Sequence, residues 1–120
     1  MIIAVDFDGV IVEDKFPDIG EPDMRLVNLL NMAYNQGHSV ILWTSRVDDK
    51  LEAAVETCNK IGLSLTAVNN GDPDNLSQYG TDPRKIYADV YLDDRALGFS
   101  RYKTYIALAQ ITTKGDYCYE

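Results

Sequence analysis

The chain opens with Ile2-Ile3-Ala4-Val5-Asp6-Phe7-Asp8-Gly9-Val10, a short apolar run that ends in two aspartates. Four apolar and mostly β-branched residues indicate a buried parallel strand, because a helix would need a longer run. Side chains two apart on a strand point to the same side, so Asp6 and Asp8 can face one pocket while Phe7 packs on the other side. Gly9 then lets the chain turn through backbone angles that other residues avoid. The two carboxylates therefore lie where ligands bind in open α/β sheets, beyond the carboxyl end of a strand.

Two neighbouring carboxylates repel each other, by about 1 kcal/mol at ~4 Å in water and by more where water is excluded. A raised pKa on one of them or a bound cation offsets this repulsion. A site made of oxygen ligands favours Mg²⁺ or another hard cation. A solvated, inert acidic turn would give the same Asp-x-Asp pattern, so residues later in the chain must distinguish the two interpretations.

The composition indicates one globular domain that spans residues 1–120, with 46% hydrophobic and 25% charged residues. A formal net charge of −8 argues against general binding to nucleic acid or anionic membranes, since phosphate contacts need clustered Lys and Arg. No apolar run approaches the ~20 residues of a membrane span. Cys58 and Cys118 form no metal-type or redox-type pair, so we expect a reducing, cytoplasmic location.

Strands and helices are predicted to alternate along the chain. The predicted strands are 2–5, 39–43, 63–68 and 86–92, and the predicted helices are 22–36, 48–61 and about 100–111, with Pro22 at the first helical position. Residues 10–20 form a polar loop or small flap, a turn-rich loop runs from Asn69 to about Thr81, and a polar tail contains Tyr117 and Tyr119. Right-handed crossovers then give an α/β fold: a Rossmann-like, three-layer parallel sheet covered on both faces, with a minimal cap or none.

Polar side chains follow the predicted second and fourth strands as well as the first. The second strand runs into Thr44-Ser45-Arg46, and the fourth ends in Asp93-Asp94-Arg95. Carboxyl ends of parallel strands meet at one edge of a sheet. If these strands are neighbours, a polar set converges on one rim: Asp6, Asp8, Thr44, Lys85, Asp93 and Asp94.

In this order the residues resemble the four motifs of the haloacid dehalogenase (HAD) superfamily of phosphatases and phosphotransferases. The matching segments are Asp6-Phe7-Asp8-Gly9-Val10, Leu42-Trp43-Thr44-Ser45-Arg46, Lys85, and Tyr91-Leu92-Asp93-Asp94-Arg95. Gly9-Val10 and the Leu92-Asp93-Asp94-Arg95 run also resemble the 5′(3′)-deoxyribonucleotidases. The resemblance implies a Mg²⁺-dependent phosphomonoester hydrolase that acts through an aspartyl-phosphate, on a phosphorylated small molecule or a nucleotide. A site without a cap also fits a homo-oligomer in which a partner subunit lends a lid.

The resemblance assigns a role to each acidic residue of the rim. Asp6 would be the nucleophile that becomes phosphorylated, a form of covalent catalysis. Asp8 would be the general acid for the leaving alcohol and then the base that activates water. The Mg²⁺ would be held by the Asp6 carboxylate, the backbone carbonyl of Asp8 and a carboxylate of the Asp93-Asp94 pair.

The remaining motif residues are assigned to the substrate. Thr44 would hydrogen-bond the transferring phosphoryl oxygens, Ser45 and Arg46 would bind substrate beside it, and Lys85 would neutralise charge on the phosphoryl group. Lys85 lies eight residues before Asp93, which on an extended strand places it ~20 Å or more from the other end. Either this strand begins later than predicted or the chain loops upward at Lys85. Lys50 and Arg46 are possible substitutes for it.

Other functions share part of this pattern. A phosphotransferase would deliver the phosphoryl group to an alcohol, but it must exclude water, which is harder without a lid. A non-catalytic module would keep the metal and phosphate site for binding or regulation. A receiver-type signalling domain needs a phosphorylated Asp after a middle strand, whereas the predicted third strand ends in Val68-Asn69-Asn70. The order of motifs therefore favours the hydrolase.

Overall fold

Four parallel strands form one sheet in this computed structural model, which describes residues 1–114. The strands are β1 (Ile2–Val5), β2 (Ser39–Leu42), β3 (Ala67–Val68) and β4 (Val90–Leu92), and their spatial order is β3-β2-β1-β4. β1 therefore lies inside the sheet, paired with β2 on one side and with β4 on the other. The predicted α/β fold with a parallel sheet is confirmed. The predicted polar tail and Cys118 lie outside the described residues.

Helices follow the strands along the chain. They are α1 (Met24–Asn35), α2 (Asp48–Lys60), α3 (Pro73–Tyr79) and α4 (Arg101–Lys114). Asp23 begins α1, because its carboxylate accepts a hydrogen bond from the backbone N–H of Leu26. Pro22, predicted at the first helical position, instead bridges to Val12 before the helix. Within the described residues, no helix combines the length and the apolar character that crossing a bilayer requires.

The two faces of the sheet are covered unequally. Ile3 and Val5 point to the face where α1, α2 and α4 contribute to the main apolar core. Ala4 and Ile41 point to the opposite face, where they form a smaller cluster with Ile86 and Ala88. The chain between β3 and β4 thus covers the second face mainly with an extended segment, since α3 has no buried residue.

Two predicted strands begin later in the structure than the sequence predicts. The fourth strand begins at Val90 and not at residue 86, because Ile86 and Ala88 pack across the sheet face instead of extending the ladder. The hydroxyl of Tyr91 holds this segment by donating to the carbonyl of Ile86 and accepting from the N–H of Ala88. The predicted third strand over 63–68 is reduced to Ala67–Val68.

The predicted loop after Asn69 contains the helix α3. Asp72 caps its first turn by accepting from the backbone N–H of Asn75, and Pro73 opens it. Gly80 ends it in a left-handed conformation. These end signals are present in the sequence, but a seven-residue helix without a buried face gives no apolar periodicity to detect.

The connection between β1 and α1 runs over residues 6–23. It contains two isolated bridges, Asp8 to Val12 and Val12 to Pro22, and an exposed loop over residues 13–18. Val10, Ile11 and Val12 at its base are buried in the main core. This arrangement matches the predicted minimal cap.

The register of the sheet places the polar segments together. Val5 pairs with Leu42 on one side and with Leu92 on the other, so three strands end at the same level. The pairing continues one step further, because the N–H of Asp6 donates to the carbonyl of Leu92 and the N–H of Trp43 to that of Val5. The residues after β1, β2 and β4 therefore share one edge.

Candidate active site

A cleft of about 590 Å³ opens at this edge of the sheet. Its walls come from the segments that follow β1, β2 and β4 and from the loop over residues 13–18. They are Asp6, Asp8, Asp14, Phe16, Trp43, Thr44, Ser45, Asp93 and Arg95. Five of the predicted site residues line this cleft: Asp6, Asp8, Thr44, Ser45 and Asp93.

Three carboxylates gather at the cleft, of which Asp6 and Asp93 line it and Asp94 lies beside them. Asp6, Asp93 and Asp94 each offer an oxygen, and these oxygens lie within 4.8 Å of one another. Burial, and after it the charges of Asp93 and Asp94, raise the pKa of Asp6 to about 7, against a hydrogen bond from the N–H of Phe7. The three carboxylates therefore repel one another in the absence of a cation.

Gly9 is required for the position of Asp94. The backbone of Gly9 has a φ of 87°, a left-handed conformation that favours glycine. A Cβ at this position would overlap the carboxylate of Asp94. Arg101, from α4, holds the same turn by donating to the carbonyls of Gly9 and Val10 at 2.8 and 2.9 Å.

Asp8 forms a two-pronged ion pair with Arg46. The Nε of Arg46 donates to Oδ2 of Asp8 and Nη2 donates to Oδ1, both at 2.7 Å. Phe7, between the two aspartates, is fully buried, as the alternation along the strand predicts. Asp8 therefore faces the cleft in an orientation that Arg46 defines.

Arg46 does not line the cleft, although the sequence assigned it to substrate binding. Arg46 is 2% exposed, and the N–H groups that do not contact Asp8 donate to the carbonyls of Pro17, Asp18 and Lys50. All five donors of the guanidinium are thus used within the protein. The structure places Arg46 behind the site, where it contacts Asp8 instead of a substrate.

Thr44 and Ser45 do line the cleft. The N–H of Thr44 donates to Oδ1 of Asn69, and its hydroxyl oxygen accepts from the N–H of Arg46. Thr44 does not cap α2, whose N-terminal cap is Val47, without a side-chain hydrogen bond. The hydroxyl of Thr44 is therefore placed by the turn after β2, on the other side of β1 from the segment that follows β4.

Lys85 is not brought to the cleft. It is exposed, and its Nζ lies 5.4 Å from the centre of the Tyr91 ring. The reason is the late start of β4, which leaves the chain before Val90 lying across the sheet face. The substitute Lys50 is exposed as well, with Nζ 3.8 Å from the carboxylate of Asp49. Arg95 supplies the cationic side chain among the residues that line the cleft.

Several residues around the cleft were not assigned to it from the sequence. Trp43 could have been, because it immediately follows β2 at the predicted rim. Phe16 and Asp14 stood in the predicted flap, but nothing local indicates which loop residues turn inward. Asn69 and Arg101 act through contacts with residues far away along the chain, and such contacts leave no local signal.

Comparison with known proteins gives one informative result. No protein-family model matches the chain, and no curated protein matches it. Among solved structures, the chain is similar to a conserved protein from Bacteroides thetaiotaomicron, with 35% sequence identity and a TM-score of 0.77. The similarity covers 97% of this chain and 92% of that chain. The resemblance to the HAD superfamily remains a prediction, whereas identity over this length shows common descent with the Bacteroides protein. The chain belongs to the same family as this conserved protein of Bacteroides thetaiotaomicron.

Proposed function

We propose that the protein is a Mg²⁺-dependent phosphomonoester hydrolase in which Asp6 is the nucleophile. The observation that carries the proposal is the cluster of Asp6 with Asp93 and Asp94, beside Asp8 and Thr44 at one edge of the sheet. Phosphoryl transfer to a carboxylate needs a nucleophile, a proton donor, hydrogen-bond donors for the phosphoryl oxygens and positive charge. The cleft has a candidate for each of these requirements.

The acidic cluster fits a hard cation. Its donor atoms are all carboxylate oxygens, they lie within 4.8 Å of one another, and their residues are partly exposed. Mg²⁺ prefers such ligands and keeps several waters. Asp6 and the Asp93-Asp94 pair would hold the ion, with the backbone carbonyl of Asp8 as a further ligand implied by the HAD resemblance. When bound, the ion would neutralise negative charge on the carboxylates and on the phosphoryl oxygens.

The proposed reaction has two steps that conserve protons. An ionised oxygen of Asp6 attacks phosphorus in line, so that an acyl-phosphate bond forms and the bond to the leaving alcohol oxygen breaks. Asp8 gives that oxygen a proton carried on a lone pair that its two hydrogen bonds from Arg46 leave free. Asp8 then accepts a proton from water as the water attacks the phosphorus and releases inorganic phosphate. The second step restores the carboxylate of Asp6 and the proton on Asp8.

The hydroxyl groups that follow β2 bind the phosphoryl oxygens in this proposal. Thr44 and Ser45 both line the cleft. The backbone N–H of Thr44 donates to Asn69 at 2.8 Å, and its hydroxyl oxygen accepts from the N–H of Arg46 at 3.2 Å, so the hydroxyl is held in place before substrate arrives. A fixed donor stabilises developing charge without reorganising during the reaction.

Arg95 takes the part that the sequence assigned to Lys85. It follows directly after the two aspartates at the end of β4 and lines the cleft, whereas Lys85 lies over Tyr91 on the sheet face. A guanidinium presents two N–H groups side by side and binds phosphate oxygens in a fork. The proposal therefore assigns contact with the substrate phosphate to Arg95.

Phosphate release from a panel of phosphomonoesters tests this function. The panel contains nucleotides, sugar phosphates and phosphorylated oligonucleotide ends, each measured with Mg²⁺ and then with EDTA. We expect metal-dependent release that Asp6→Asn abolishes, because an amide cannot act as the nucleophile. Glu56→Gln, which removes an exposed carboxylate on α2, is the matched control and retains full activity.

Calorimetric titration with Mg²⁺ tests the proposed metal site independently of hydrolysis. Replacing Asp93 and Asp94 with Asn should weaken Mg²⁺ binding strongly, since two of three clustered carboxylates are lost. Unchanged Mg²⁺ affinity would contradict the proposed metal ligands. Mg²⁺ binding without release from any ester would instead favour a non-catalytic, regulatory module.

A further inference from the structure

Arg46 connects two parts of the site that are otherwise joined only through the backbone. One part is the carboxylate of Asp8, which it contacts through two 2.7 Å hydrogen bonds. The other is the exposed loop over residues 13–18, in which the carbonyl of Asp18 accepts from Nη2 at 2.9 Å. Because the same guanidinium serves both, the orientation of Asp8 and the position of the loop depend on one side chain.

We propose that Arg46 is a positioning residue that orients Asp8 for proton transfer and holds the loop over residues 13–18 against the cleft. The part that concerns Asp8 rests on the proposed function, in which Asp8 gives and accepts the proton. The part that concerns the loop stands on contacts alone. The two parts therefore need separate measurements.

The geometry at Asp8 supports the first part. A carboxylate that accepts two parallel hydrogen bonds from a guanidinium cannot rotate about its last bond without losing one of them. The side chain of Arg46 is 1% exposed and that of Asp8 is 18% exposed, so solvent screens the pair little on the side of Arg46. Each oxygen of Asp8 keeps a second lone pair, and since Asp8 lines the cleft, the fork fixes how its carboxylate is presented there.

The loop depends on Arg46 because it has little burial of its own. Every residue from Glu13 to Asp18 is exposed, so the loop contributes no side chain to the core. The guanidinium lies 5.0 Å from the centre of the Phe16 ring and 5.2 Å from that of the buried Phe7 ring. Contact with both rings restrains the guanidinium and holds Phe16 in the wall of the cleft.

A lysine at position 46 would not reproduce these contacts. An ammonium group has three donors on a flexible stem and lacks the planar fork. It cannot bond both oxygens of Asp8 in parallel while also reaching the carbonyls of Asp18 and Pro17. We therefore expect Arg46→Lys to fold and to lose most of the positioning, and Arg46→Ala to lose all of it.

The kinetic test compares leaving groups. For an alkyl phosphate the leaving oxygen needs a proton from Asp8, whereas a p-nitrophenyl leaving group departs without one. We expect kcat/KM of Arg46→Ala and Arg46→Lys to fall about 10²–10⁴-fold for alkyl esters, the usual contribution of a general acid, and less than about tenfold for p-nitrophenyl phosphate. Millimolar guanidinium should restore part of the alkyl activity to Arg46→Ala and none to Asp8→Asn. Equal losses on both classes of ester, or no loss, would overturn the role at Asp8.

The loop is tested without any substrate. Trypsin cleavage after Lys15, followed by mass spectrometry under native conditions, reports how often the loop leaves the cleft. We expect faster cleavage after Lys15 in both Arg46 variants and an unchanged rate in Arg84→Ala, which removes another exposed arginine. Circular dichroism verifies that each variant is folded, and if Arg46→Ala is not, Arg46→Lys carries both tests. An unchanged cleavage rate would overturn the role in the loop, whereas a wild-type protein without turnover would count against the proposed function alone.

Discussion

Replacing Asp6 with Asn should stabilise the protein in the absence of metal while it abolishes turnover. Asp6 lies beside Asp93 and Asp94, and burial together with their charges raises its pKa from 3.8 to about 7. Between these two values the folded state binds a proton that the unfolded state has released. The stability of the wild-type protein therefore falls as the pH rises from about 4 to about 7, and the loss is complete above that range. Asn carries no charge, so the variant avoids this loss.

The size of the effect follows from the same shift. At about 1.4 kcal/mol for each pH unit, the full difference would amount to about 4 kcal/mol. Asp6 lines an open cleft and is partly exposed, so solvent screening reduces the expected gain to about 2 kcal/mol. For a domain of this length, a change of that size raises Tm by about 5–10 °C. The acceptor for the N–H of Phe7 is kept, since the Asn carbonyl can replace Oδ1 of Asp6.

Thermal and urea unfolding in EDTA measure this gain at pH 8 and at pH 5. We expect the variant to be more stable than the wild type at pH 8, and the difference to shrink at pH 5, where Asp6 holds its proton. Glu56→Gln removes the same charge from an exposed site and should change stability by less than about 0.5 kcal/mol. Added Mg²⁺ should stabilise the wild type more than the variant, because in the proposed metal site the ion would bind the folded state through Asp6. A variant no more stable than the wild type at pH 8, or a gain equal at both pH values, would refute the reasoning.

Two further predictions concern residues around the cleft. Arg95→Ala should raise KM for phosphomonoesters about tenfold or more, since a charged hydrogen bond contributes about 1.5–3 kcal/mol. Lys85→Ala should leave steady-state kinetics unchanged, because Lys85 lies over Tyr91. The reverse pattern would assign the phosphate contact to Lys85 instead of Arg95. Asp23→Ala should lower the free energy of unfolding by about 2 kcal/mol in urea titrations at pH 7, because Asp23 caps α1 and accepts from Arg101 and Tyr105. Burial alone would raise the pKa of Asp23, but these hydrogen bonds lower it below 3.8. The stabilisation of the folded state by the ionised carboxylate is therefore present above that pH and is lost as the pH falls below it. An unchanged urea midpoint for Asp23→Ala would contradict the capping role.

The acidic rim could be predicted because its signals are local. A β-branched run shows where β1 ends, and the alternation along a strand shows that Asp6 and Asp8 face together while Phe7 is buried. Parallel strands that end in polar residues then imply a shared edge. The structure places Asp6, Asp8, Thr44 and Asp93 in the walls of one cleft, as this reasoning requires.

The errors come from contacts between distant parts of the chain. Ile86 and Ala88 alternate like residues of a strand, but they cover the second face of the sheet, and only the packing on Ala4 and Ile41 distinguishes the two arrangements. Lys85 was displaced from the rim for the same reason. Arg46 follows two residues that line the cleft, yet the turn after β2 directs its side chain to Asp8 and to the loop instead. No local pattern encodes that direction.

The position of β1 inside the sheet has a consequence for how the site is assembled. Asp6 belongs to the first strand of the chain, whereas Asp93 and Asp94 follow the last strand, and β1 and β4 are direct neighbours. During synthesis Asp6 is made almost at once, but the carboxylates that complete its cluster emerge only after three helices and three further strands. A chain released early would carry Asp6 without Asp93 and Asp94. Any cation that requires the full cluster would therefore bind only to chains translated beyond β4.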